Sequence, residues 1–125
     1  MHDDLCLNVG VMDEKHEEFL EILSSIKTCE QELFLPLFEV MIRHTKEHFA
    51  YEENIMHAYN FYDKKVHLDE HENMLAEMNY FYEKAKKSPA FGKSYINEYA
   101  YEKFKRHILN VDSQLAMFLK ERSIA

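Results

Sequence analysis

Histidine is the chemical excess of this sequence, with eight in 125 residues. His48 and Glu52 stand four residues apart, as do His67 and His71, so each pair projects from adjacent turns of one helix face. His16 follows Asp13 by three positions, and Asp112 follows His107 by five. The ordered series D-x-x-H, H-x-x-x-E, H-x-x-x-H, H-x-x-x-x-D places one item on each of four predicted helices. A lone core histidine is more simply a hydrogen-bonded structural residue. Five such residues on the inward stripes of three helices, His16, His48, Glu52, His67 and His71, need a common cause, because burying each without a partner is costly. A metal cluster supplies one, since it satisfies every lone pair and neutralises the carboxylates. The last pair is awkward. Five steps of an ideal α-helix set His107 and Asp112 about 140° apart, on either side of the stripe Phe104, Val111, Leu115.

The elements that position these side chains follow from apolar periodicity. His16, Phe19, Leu20, Leu23 and Ile26 make the inner stripe of a first helix at about 9–28, opposite Glu14, Lys15, Glu17, Glu18 and Glu21. Pro36 suits the first turn of a second helix at about 36–60, whose inner stripe is Met41, Thr45, His48, Glu52, Ile55 and Tyr59. Asp63 is placed to cap a third, at about 64–87, carrying His67, His71, Met74, Leu75, Met78, Phe81 and Tyr82. Lys87 to Gly92 breaks the pattern. A fourth helix at about 94–120 then turns Ala100, Phe104, Val111, Leu115 and Phe118 inward. Only two Gly and two Pro argue against a turn-rich sheet protein. The expected fold is all-α, an up-down-up-down antiparallel four-helix bundle. It spans 1–125 as one domain, with an N-terminal arm at about 1–8.

Composition excludes several classes. A net charge of -8 with no Lys/Arg cluster argues against nucleic acid or an anionic membrane surface as partner. No stretch reaches the roughly 18 apolar residues of a membrane span. The acidic start MHDDLCLNVGVMDEKHEE lacks a secretory pattern, so a cytoplasmic location is expected. Cys6 and Cys29 flank the first helix, too far apart to pair, and are read as free thiols.

Other readings fit less well. His67 to His71 and His44 to His48 both match H-x-x-E-H, a metalloprotease pattern, but Glu70 and Glu47 project away from the ligand face. Ferritin-like di-iron enzymes use Glu-x-x-His, which precedes none of the eight histidines. His57 projects opposite His48 and reads as solvent-facing, and His2 falls in the tail. His44, one turn before His48, reads as a partly buried structural residue. Met41, Met56, Met74 and Met78 read as core filler. Tyr59, Phe61 and Tyr62 are placed to cover a bundle end or to make a protein contact.

In Asp13 to His16, His48 to Glu53, His67 to His71 and His107 to Asp112, the sequence resembles the hemerythrin family over nearly its whole length. The resemblance implies a non-haem di-iron centre that binds dioxygen reversibly. His67, His71 and His107 would hold one iron and His16 and His48 the other, with Glu52, Asp112 and an oxo or hydroxo group as bridges. Counted on two six-coordinate ions, that set leaves one position open for dioxygen, on the two-histidine iron. Phe49 and Phe104 would wall it. Where many relatives have a Trp and a Tyr, this chain has Lys103 and Leu115. A binder rather than an enzyme is expected, acting as oxygen carrier, store or sensor, with no catalytic residue assigned. The alternatives are a di-iron redox enzyme acting on nitric oxide or peroxide or repairing oxidised iron sites, and a metal-free interaction module.

Overall fold

The computed structural model describes residues 6–122; His2 lies outside them. The first helix is Gly10–Thr28, the second Phe34–Ala58 and the third Lys64–Lys87. The fourth rod, 89–121, is a chain of α-helical pieces (Pro89–Ser94, Ala100–His107 and Ser113–Glu121) joined by two π turns, Tyr95–Tyr99 and Ile108–Asp112. Among the described residues there is no strand, and no helix is long and apolar enough to cross a membrane.

The corners differ in detail from the pattern expected of the sequence. A 3₁₀ turn at Gln31–Leu33 starts the second helix early, so Pro36 falls in its first turn at the third position. Asp63 occupies the N-cap of the third helix, yet its side chain makes no capping bond. Its backbone (φ -111, ψ 26) is not the extended geometry that aims a cap side chain, and its carbonyl instead accepts the His67 N–H at 3.3 Å. The break between the third and fourth rods narrows to Ser88, because Pro89 begins the next helix at its first position. Gly92 is buried there, and a Cβ on it would lie 2.5 Å from Ala85 Cβ and 2.9 Å from Phe34 Cε2. A glycine is therefore what lets the fourth rod approach this closely.

Two apolar clusters fill the interior. One holds Phe19, Leu23, Phe38, Met41, Met78, Ile96 and Ile108 among others. The second joins Val9, Met12, Met56, Phe61, Leu115 and Phe118. Along the first helix the order is second cluster, His16, first cluster; along the second it is first cluster, His48 and Glu52, second cluster. The reversal is what antiparallel neighbours require, and it sets the seven polar residues as a layer between two apolar plugs. Phe61 closes the far end, buried and edge-on to Phe118 at 5.0 Å, while Tyr59 and Tyr62 are exposed. Tyr59 leaves the expected inner stripe because the helix ends at Ala58, and Met56, four residues after Glu52, takes the inward place. Val111 is likewise half-buried rather than inward.

Candidate metal centre

All seven sequence-predicted donors are buried, none more than 2% exposed. They form two groups in which one ligand atom of each residue lies within 4.8 Å of the others: Glu52, His67, His71, His107 and Asp112, and His16, His48, Glu52 and Asp112. Both carboxylates belong to both groups. Glu52 Oε1 is 3.0 Å from His67 Nε2 and from His71 Nε2, and its Oε2 is 2.6 Å from His48 Nε2. Asp112 Oδ2 is 2.8 Å from His16 Nε2.

The pair that an α-helix would have splayed is brought together by the π turn. Ser113 N–H bonds to Ile108 O, five residues back, so this turn takes roughly five residues instead of four and aligns positions five apart. His107 Nε2 then lies 3.0 Å from Asp112 Oδ1. Neither atom has a hydrogen-bond partner. They are close yet not aimed at one another, which is how two ligands of one ion stand, and unlike a donor and its acceptor. A metal fits this donor set.

Electrostatics agree. Burial and the Asp112 charge push the Glu52 carboxyl up, but the hydrogen bond and charge of His48, with His67, hold it below the usual carboxylate range. Burial opposes ionisation of Asp112 too, and the charge of His107 with the His16 hydrogen bond keeps it well below that range. Burial disfavours charge on His67, but Asp112 and Glu52 raise it to about 9, and Asp112 raises His107 in the same way. The layer draws positive charge to its centre.

The two phenylalanines take different sides. Phe49 stacks on His71 with ring centroids 3.7 Å apart, on the three-histidine side. Phe104 meets His16 edge-on at 5.6 Å and stacks on Phe19 at 4.0 Å, on the two-histidine side. Leu115 is fully buried, and Lys103 turns outward to Glu77 at 2.5 Å. Outside the layer, His57 is exposed, and His44 binds Glu18 at 3.0 Å, tying the first helix to the second. Asp13 holds the arm through the Leu7 N–H at 2.8 Å.

Two residues went unassigned at the level of sequence. Glu53 Oε2 is 2.8 Å from His71 Nδ1, and Glu70 Oε1 is 3.8 Å from His107 Nδ1. Glu70 had been expected to point away; it is half-buried and backs a neighbouring helix's histidine. The signal available was its position on the rim of the ligand stripe, three residues after His67.

A relative described as Bacteriohemerythrin, from Ralstonia nicotianae, is 28% identical over 119 residues, covering 94% of this chain and 86% of the relative. The chain is hemerythrin-like. No family model matches it. No solved structure matches it either. The hemerythrin-like assignment and the buried layer together fit a di-iron site.

Proposed function

We propose that this hemerythrin-like chain holds two non-haem iron ions and binds dioxygen reversibly, as a cytoplasmic oxygen carrier, store or sensor. The observation that carries the reading is the sharing of Glu52 and Asp112 by two adjacent donor groups, one with three imidazoles and one with two. His67, His71 and His107 would hold one ion and His16 and His48 the other, with Glu52 and Asp112 placed to serve both. The chemistry such a pair supplies is reversible electron donation to dioxygen.

The chain's own residues set the conditions for reversibility. Five neutral donors and only two anionic ones give the pair little negative charge, which disfavours strongly oxidising states. Phe104 and Phe19 wall the two-histidine side, and Ile108 and Leu115, both fully buried, keep the surroundings apolar. An apolar wall there would exclude water and disfavour charged species, which favours binding and release of neutral dioxygen. The test is optical. Protein reduced without air and then exposed to oxygen gains a charge-transfer band that vanishes on deoxygenation. Absence of the band, or steady consumption of oxygen, nitric oxide or peroxide with a reductant, overturns the reading.

A further inference from the structure

The two seats differ in what stands behind their imidazoles. On the three-histidine side, His71 Nδ1 meets Glu53 at 2.8 Å, with the Glu53 side chain 34% exposed. His107 Nδ1 faces Glu70 at 3.8 Å, too far for a direct hydrogen bond but close enough for its charge to be felt. Glu70 also lines a cavity of about 160 Å³ with Asn73, Met74, Glu77, Lys103 and Arg106. His16 Nδ1, on the two-histidine side, is buried with no hydrogen-bond partner, as are His67 Nδ1 and His107 Nδ1 on the other; the two sides differ in the direct Glu53 bond to His71 and in the charge of Glu70 near His107. Among the described residues, no carboxylate besides Glu52 and Asp112 lies within ion-pair distance of His16 or His48. The nearby Glu18 is engaged by His44.

A carboxylate behind a ligand imidazole fixes the tautomer that leaves Nε2 free for the metal, holds the ring in place and raises its basicity. We propose that Glu53 and Glu70 are positioning residues that make the two seats unequal. The His67, His71, His107 seat takes its ion first and more tightly, and the His16, His48 seat fills second. This rests on the two-metal reading above and adds an order of loading to it.

The test is titration of metal-free protein with cobalt(II), followed by visible absorption and calorimetry, with helicity checked by circular dichroism. Two resolved steps are expected. Glu53→Gln weakens the first by about 10-fold or more, the usual effect of losing such a partner, and leaves the second within about threefold. Glu70→Gln acts in the same direction by a smaller factor. Glu18→Gln changes neither step. In the cobalt protein, the shifted Nδ1–H resonance of His71 exchanges with solvent faster in Glu53→Gln, an effect that a change in packing alone does not produce. Equal filling of both seats in one step overturns the proposal, as does a first step unmoved by both variants or both steps weakened alike. Fewer than two cobalt ions per chain is a different failure, that of the two-metal reading itself.

Discussion

Deleting Asn110 removes one residue from the Ile108–Asp112 turn, and the outcome depends on whether that turn holds an extra residue. In an uninterrupted α-helix each residue advances about 100°, so five steps leave His107 and Asp112 about 140° out of phase. The π turn absorbs the fifth residue locally, and the rod resumes in phase beyond it. After the deletion, four ordinary steps separate the two ligands, about 40° apart, the same spacing as His48 and Glu52. Leu115, Ala116, Phe118 and Leu119, all buried, stay inward. Were the rod α-helical throughout, the deletion would swing those four outward by about 100°. At roughly 1.5–3 kcal/mol for each large apolar side chain, that loss rivals a total stability of about 5–15 kcal/mol. The expectation is a folded protein that still binds two metal ions and whose stability changes by about 1 kcal/mol or less, roughly 4 °C in Tm. Thermal unfolding by circular dichroism with metal analysis decides it. An unfolded variant, or one holding fewer than two ions, refutes the reasoning.

Three further outcomes follow from particular contacts. Gly92→Ala drives a methyl into Ala85 and Phe34; the crowding costs about 1–3 kcal/mol against roughly 1 gained in helix propensity, so urea unfolding shows a net loss of up to about 2 kcal/mol and no gain. Burial, aided by the Glu77 charge, pushes the Tyr95 phenol above its usual value, so the folded state keeps it neutral. The unfolded phenol ionises near pH 10, so this contribution is whole below about pH 10 and is lost as pH rises beyond it. Tyr95→Phe therefore gains on the parent in denaturant melts taken from about pH 10 to 12. His71→Ala leaves Glu53 and part of Glu52 unpaired, costs about 3–5 kcal/mol and lowers the bound metal, whereas the exposed His57→Ala changes neither by calorimetry and metal analysis.

The inward stripes were legible because burial follows helical period, and His16, His48, Glu52, His67 and His71 lie on those stripes. His107 and Asp112 were not legible from geometry, because a fixed 3.6-residue period cannot register a π turn; only the family resemblance joined them to the set. The same local widening explains why Val111, expected inward, is half-buried. Tyr59 was misplaced because extrapolating a stripe ignores where the helix stops. Glu53 and Glu70 escaped notice because a charged residue beside a ligand stripe reads as a solvated face until the neighbouring helix supplies the imidazole it meets.

Iron bound per chain, measured on protein made with iron in excess, tests the central claim most directly. Two ions per chain, falling together when Asp112 is replaced by Ala, is the result this account requires. Full-length folded protein with no iron, or with a single ion untouched by that substitution, contradicts it.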